Sequence, residues 1–304
     1  MTVLDATGAE RSGRLRRGAG AGAGAARAAR AARAGLTGAP VPVLIAAAVL
    51  VLAALLVVAP GLVAGSPTQT DPAAALRGPT PHHLFGTDQL GRDVFSRVVH
   101  GARPSLLLGC GATIISVLGG ALLGLVAGLG GRYGDQVLMR VMDMLLALPP
   151  LLVALVVISV LGSGTVNVLI AIGVAFIPPY SRLVRAEALL VRRSGYLEAA
   201  VGLGLSRRVL TVRHVLPNAL GPLLVLASVG FGTSLIYASS LSFLGLGTRP
   251  PAPEWGAMLS DGRDFLQTSW WIALFPGLAV TVSVVSINLV GRHLQGRYTG
   301  RTGR

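Results

Sequence analysis

Residues 43–63 read Val-Leu-Ile-Ala-Ala-Ala-Val-Leu-Val-Leu-Ala-Ala-Leu-Leu-Val-Val-Ala-Pro-Gly-Leu-Val, without a charge. A hydrocarbon core of ~30 Å takes ~20 apolar residues of helix, so this stretch predicts a membrane crossing. It exceeds the ~7–15 apolar residues of a secretory signal, and the basic region before it is also too long for one. A retained first span is the reading. Five further stretches share this character, at about 104–129, 137–160, 166–184, 218–241 and 270–290. The expected fold is an all-α polytopic membrane protein of about six transmembrane helices.

Composition agrees. The chain has 304 residues, 52% hydrophobic and only 12% charged, about half the ~25% charge of soluble proteins. Mean hydropathy is +0.69. The single cysteine, Cys110, lies in an apolar stretch. It excludes a disulfide framework and a zinc site of several cysteines. The basic residues are 26 arginines and no lysine. Without lysine the chain has no Gly-rich phosphate loop ending in Gly-Lys-Ser/Thr, and so no such ATP site of its own.

The net charge of +14 is distributed as a membrane protein distributes it. Arg11, Arg14, Arg16, Arg17, Arg27, Arg30 and Arg33 precede the first span, seven more lie between 182 and 213, and four follow 291. Segments 65–103 and 248–269 hold six arginines against six acids. Basic segments alternating with neutral ones fit the positive-inside bias. Both termini are then inside and those two segments outside. Membrane lipid is the expected surrounding, and nucleic acid is not an expected partner. Residues 1–38 are Ala/Gly/Arg low complexity, predicting a disordered cytoplasmic tail. Segment 39–103 reads as the first span plus an external segment, 104–291 as the main transmembrane domain, and 292–304 as a second cytoplasmic tail.

Within the second span Ala112, Ser116, Gly120, Gly124 and Gly128 recur every four residues. That spacing lines one helical face with small residues and lets another helix approach closely. A chain with 41 glycines also scatters such patterns by composition alone. Pro149-Pro150 and Pro178-Pro179 interrupt the third and fourth spans, where kinks or breaks are expected. Kinks suit a pathway that opens and closes, and static bundles contain them too.

Between the fourth and fifth spans lies a basic loop, 186–217, containing Glu198-Ala199-Ala200, Gly204 and His214-Val215-Leu216-Pro217-Asn218. Leu197, Val201 and Leu205 form an apolar stripe on a first short helix. Gly204 suits its end, and Ser206 suits the cap of a second helix. The product is a compact helix–turn–helix with small residues at its tip, shaped for a shallow groove on a partner. An amphipathic loop resting on lipid headgroups fits the same residues.

The spacing Glu198-Ala199-Ala200, Gly204, Leu216-Pro217 resembles the signature loop of ABC importer permeases. The His214-Val215-Leu216-Pro217-Asn218 version resembles the peptide/nickel branch. Two other stretches are similar to segments of that branch: His83-Leu84-Phe85-Gly86-Thr87-Asp88-Gln89-Leu90-Gly91-Arg92-Asp93-Val94 after the first span, and Leu241-Ser242-Phe243-Leu244-Gly245-Leu246-Gly247 followed by Pro250-Pro251 and Glu254-Trp255-Gly256. Their order resembles the C-type subunit of a heterodimeric permease. Ala238 and Arg292 depart from it, standing where an acid is common. The resemblance implies an ABC type I importer permease-like fold and a multi-pass subunit of the bacterial inner membrane. It implies a second homologous permease subunit, two ATP-binding subunits carrying ATP-Mg, and an extracytoplasmic solute-binding protein. Dipeptides or oligopeptides are the implied cargo, with nickel complexes as the alternative. In that frame Glu198, Ala199, Ala200, Gly204, His214, Leu216 and Pro217 form the ATPase-coupling loop. Gly86, Asp88, Gly91, Arg92 and Asp93 form the external segment.

Other chemistry is thin. Asp88, Arg92 and Asp93 suit charge pairing with a neighbour or within their own loop. Asp143, three residues after Arg140, suits a same-face pair. His82 and His83 are adjacent, so they do not face one site, and no third ligand stands near; no metal site is expected. Trp255, Trp270 and Trp271 sit where amphipathic rings collect at the outer boundary. No nucleophile–base pair is visible, so no catalytic residue and no cofactor of the chain's own are expected. A secondary transporter driven by an ion gradient predicts related halves and charged midplane residues, which the sequence does not display.

Overall fold

The computed structural model describes residues 40–192, 206, 209 and 216–302. The chain divides into two units, Met1–Leu44 and Ile45–Arg304. Of the first, residues 40–44 are described. They open helix α1, Val41–Val58, whose first turn forms as the Val43 N–H donates to the Pro40 carbonyl. The second unit continues with α2 (Val94–Leu129), α3 (Arg132–Leu146), α4 (Pro150–Leu161), α5 (Thr165–Ala175), α6 (Ile177–Arg192), α7 (Leu216–Phe243), α8 (Trp255–Gly262) and α9 (Trp271–Thr302). Among the described residues the regular structure is helical, apart from one isolated antiparallel bridge between Thr87 and Asp93.

Five stretches are long and apolar enough to cross a membrane: Val41–Val58, Val94–Leu129, Thr165–Val191, Pro222–Phe243 and Trp271–Gly296. The pair α3 and α4 makes a sixth if counted as one span, but it bends by 100°. The Pro149-Pro150 pair causes this break. Neither residue has an N–H to give, and a residue before proline is pushed out of the helical region. Pro149 accordingly sits extended, at φ −55 and ψ 131. Pro178-Pro179 behaves differently. The helix is interrupted at Phe176, yet the two pieces run on as one span, Thr165–Val191. Here the prolines fall in the first turn of α6, where backbone donors have no intrahelical partner to lose.

Two boundaries differ from those expected. α2 begins at Val94 rather than near Pro104, because Asp93 caps it: its Oδ2 accepts the Ser96 N–H at 2.8 Å. Pro104 is carried inside the helix. α9 continues past the apolar run to Thr302, so much of the expected C-terminal tail is helical.

α2 is the spine. Its small-residue stripe is buried throughout, from Ala112 and Ser116 to Gly120, Gly124 and Gly128. It meets α6 in register: Gly120 faces Tyr180 and Ser181, Gly124 faces Ser181 and Val184, and Gly128 faces Ala188. A core cluster joins Leu108 and Ala112 of α2 to Val153, Ala154 and Ile158 of α4, to Val168 and Ile172 of α5, and to Leu241 of α7. A second gathers Val94, Leu235, Trp255, Met258, Trp271 and Ile272, which belong to α2, α7, α8 and α9. Cys110 is exposed.

The α2–α6 contact generates a test. A Cβ on Gly124 would lie 2.8 Å from Val184 Cβ and 3.0 Å from the Arg185 nitrogen, whereas one on Gly131 meets nothing within 4 Å. Gly124→Val is therefore expected to cost about 1–3 kcal/mol through overpacking, and Gly131→Ala close to nothing. Thermal unfolding of the detergent-solubilised protein reads both.

Candidate functional site

The segment before α2 folds into a tight polar knot. The Asp88 N–H donates to the Arg92 carbonyl (3.0 Å), the Gly91 N–H to the Asp88 carbonyl (3.0 Å) and the Val94 N–H to the Gly86 carbonyl (3.0 Å). Asp88 holds the turn from inside: its Oδ1 accepts from the Leu90 and Arg92 N–H groups, each at 2.9 Å. Two glycines are obligatory here. Gly86 and Gly91 have φ of +73 and +70, a region side chains avoid. A Cβ on Gly86 would also stand 2.7 Å from the Trp271 ring, and one on Gly91 would strike the Asp71 carbonyl.

The knot is tied on from several sides. Thr87 exchanges hydrogen bonds with Arg77, giving its N–H to the Arg77 carbonyl and receiving the Arg77 N–H on its hydroxyl, both at 2.9 Å. Trp271 Nε1 donates to the Thr87 carbonyl at 3.0 Å. Phe85 stacks on Phe275 of α9 with ring centroids 3.9 Å apart. Asp93 caps α2 and meets His83 Nδ1 at 3.1 Å.

Four charges lie beneath. Asp88 is 2% exposed, and its Oδ2 accepts from Arg92 Nε at 2.6 Å. Arg97 Nε approaches the same oxygen at 3.5 Å, and Arg97 Nη2 lies 3.9 Å from Asp261 Oδ2 on α8. Two arginines and two aspartates cancel. The bonding is uneven, because Arg97 Nη1 is buried without a hydrogen-bond partner.

α8 is locked to α2 by a buried carboxylate. Glu254 is 0% exposed. Its Oε1 accepts from the Gly256 N–H (2.9 Å) and the Ser105 hydroxyl (3.0 Å), and its Oε2 from the Ala257 N–H (3.0 Å). The Ser105 oxygen in turn accepts the Trp255 N–H at 3.0 Å, and Trp255 Nε1 donates to the Val98 carbonyl at 2.9 Å. Sequence reading quoted Glu254 within a motif but missed both its capping role and Ser105. An acid just ahead of a short apolar helix was the available signal.

The expected residues divide as follows. Gly86, Asp88, Gly91, Arg92 and Asp93 come together in one knot. Asp88 and Arg92 are committed to each other inside it, so their charges serve the loop itself rather than a neighbour. Trp255 and Trp271 are not boundary anchors: both are buried, with their ring nitrogens on backbone carbonyls, and Trp270 alone of the three is exposed. Asp143 reaches Arg182 of α6, at 3.8 Å, rather than Arg140 on its own helix. Among the described residues no group of three or more His, Cys, Asp or Glu side chains is placed to hold a metal. Of the basic loop, Glu198, Ala199, Ala200, Gly204 and His214 lie outside the described residues. Leu216 and Pro217 open α7, with Pro217 exposed. Ser206 Oγ accepts the Val209 N–H at 3.4 Å, the partner expected of a capping serine.

Known proteins align with the chain over most of its length. The family described as binding-protein-dependent transport system inner membrane component matches residues 120–300. A dipeptide transport system permease protein, DppC, of Alkalihalophilus pseudofirmus is 41% identical over 241 residues, 79% of each chain. A di/tripeptide transport system permease protein of Pseudomonas aeruginosa is 43% identical, covering 74% of each. A probable D,D-dipeptide transport system permease protein, DdpC, of Escherichia coli is 39% identical over 84% of this chain and 86% of its own. In structure the chain is similar to the MetNI methionine ABC transporter in an inward-facing conformation, with a TM-score of 0.55 at 15% identity, covering 67% of this chain and 97% of that one.

Two measurements test the knot. Glu254→Ala strands two N–H groups and a hydroxyl, and is expected to cost about 1–3 kcal/mol in thermal unfolding, with a smaller loss for Glu254→Gln. Burial raises the Asp261 carboxyl above its ordinary 3.8, while Arg97 and Arg92 pull it down. A raised carboxyl binds its proton more tightly folded than unfolded. Its contribution to stability is therefore full below 3.8 and is lost as pH rises through the folded value. Asp261→Asn is expected to flatten this slope on the alkaline side of pH 3.8, read as the change in unfolding midpoint.

Proposed function

Because the chain belongs to the family of binding-protein-dependent transport system inner membrane components, we propose that it forms half of the transmembrane pathway of an ATP-driven importer for small peptides. The observation that carries this reading is the likeness to permeases named for dipeptide and di/tripeptide transport, which extends over most of both chains. The fold supports it: a long spine, a bent arm and helices long and apolar enough to cross a membrane are the parts such a subunit needs.

The energy comes from elsewhere. The lysine-free sequence has no Gly-Lys-Ser/Thr phosphate loop, so ATP-Mg is held by two partner ATP-binding subunits. The loop 186–217 receives their motion, with Glu198, Ala199, Ala200, Gly204, His214, Leu216 and Pro217 at the contact. A second homologous permease completes the pathway as a heterodimer, and an extracytoplasmic solute-binding protein delivers the peptide. The chain sits in the bacterial inner membrane with both termini cytoplasmic. The knot of Gly86, Asp88, Gly91, Arg92 and Asp93 then faces outward and holds the outer mouth rigid. ATP-driven closure of the ATPase pair moves the loops and rocks the two permeases.

The test is uptake of a labelled dipeptide by cells carrying the complete transporter. Gly204→Pro and Glu198→Arg are each expected to abolish uptake while the chain still inserts into the membrane. Normal uptake by either variant refutes the loop's role. Accumulation of nickel without peptide replaces the cargo.

A further inference from the structure

α2 and α6 form one body. Along their stripe a Cβ on Gly124 would stand 2.8 Å from Val184 Cβ, and one on Gly128 would stand 2.7 Å from Ala188 Cβ. No side chain intervenes, so neither helix slides without the other. α6 then leads through Arg192 directly into the loop that contains Glu198 and Gly204.

α3 packs on this body more loosely. Its Met139 and Met142 gather with Ala127 and Leu123 of α2 and with Ile177 of α6. Methionine is flexible and adapts its packing, so such a contact yields rather than pushes. Beyond its far end the chain turns by 100° into α4, which is packed into the core against α5. α3 is thus an arm set at an angle to α4 by the break at Ala147–Pro149.

One stiff contact bridges arm and body. Arg185 of α6 donates to both oxygens of Asp135 in the first turn of α3, Nε to Oδ1 at 2.5 Å and Nη2 to Oδ2 at 2.6 Å. The side chains are only 33% and 21% exposed. A two-pronged guanidinium–carboxylate pair fixes direction as well as distance. A second, looser rung follows one face further along, where Arg182 lies 3.8 Å from Asp143 in a more exposed setting. Asp135 sits at the end of the bundle where α2 finishes and α6 runs into the loop.

We propose that the Asp135–Arg185 pair is the positioning contact that hands movement of the loop, carried by α6, to the arm α3. The inference rests on the proposed importer function and adds a part to it. The pair binds no cargo and no nucleotide; it sets the angle of the arm. Losing it leaves the loop able to receive ATP-driven motion while the arm no longer follows.

The experiment uses the complete transporter in proteoliposomes with its binding protein, measuring peptide moved per ATP hydrolysed. Dipeptide uptake by the wild-type complex establishes the underlying function; the ratio in the variants alone decides the pair. Arg185→Lys keeps the charge but loses the fork, and Asp135→Asn keeps the shape but loses the charge. Both are expected to assemble with the ATPase and to hydrolyse ATP, while peptide moved per ATP falls by about fivefold or more, the scale of one broken charge-assisted contact. The exchange Asp135→Arg with Arg185→Asp is expected to recover part of the loss. A ratio equal to wild type in Arg185→Lys overturns the proposal. So does a parallel fall of uptake and hydrolysis in assembled complexes, which marks a purely structural pair. If Asp135→Asn fails to assemble, Arg185→Lys decides by the same ratio.

Discussion

The close approach of α2 to its neighbours is the constraint on which the rest of the molecule depends. Within a membrane, apolar surface gains little by leaving lipid for protein, so helices associate through van der Waals contact and hydrogen bonds. Each such contact is small and falls steeply with distance. Glycine removes the distance. α2 uses it in several directions: Gly101 admits the Trp255 ring, Gly109 admits Leu235, and Gly120, Gly124 and Gly128 admit α6. Ser116 adds a hydrogen bond to the Gly173 carbonyl of α5 at 2.8 Å. One long helix thereby organises α5, α6, α7 and α8 around itself.

The two ends of that spine are built from opposite materials. At the end where α2 begins, backbone hydrogen bonds, a fully buried glutamate and ring nitrogens on carbonyls leave the knot little freedom. Trp255 and Trp271 act there as bolts. At the end where α2 finishes, methionines and ion pairs connect the parts. A rigid frame at one end and a jointed one at the other is a mechanical division of labour suited to a membrane conduit driven from one side.

Much of the architecture was legible in the sequence because the relevant signals are local. Apolar length marks a span, and a small residue every fourth position marks a packing face. Pro149-Pro150 announced its break. At 178–179 the same dipeptide follows an interruption at Phe176 and sits in the first turn of α6, so the span runs on there without a sharp bend; composition does not reveal which outcome a proline pair gives. The start of α2 was hidden by the polar character of Val94–Arg103, within which the structure buries Ser96 and Arg97. The external motif was visible as residues but not as bonds. Arg97 reaches Asp88 and Asp261, and Glu254 reaches Ser105; such pairings are set by the fold and leave no mark in spacing. Tryptophans 255 and 271 were assigned to a boundary by their chemistry and claimed by distant carbonyls instead. Asp143 likewise passed over an arginine on its own helix for one on another.

The balanced charge of the knot has a consequence for traffic. Segments 65–103 and 248–269 carry six arginines and six acids, and the central four are packed against one another. Opposed charges this close leave little potential a few ångströms away, and dissolved salt erases most of the remainder. Such a surface neither gathers anions nor repels cations from bulk solution. With this end facing outward, as proposed, capture there is a matter of shape at short range, and its rate is expected to be nearly indifferent to ionic strength.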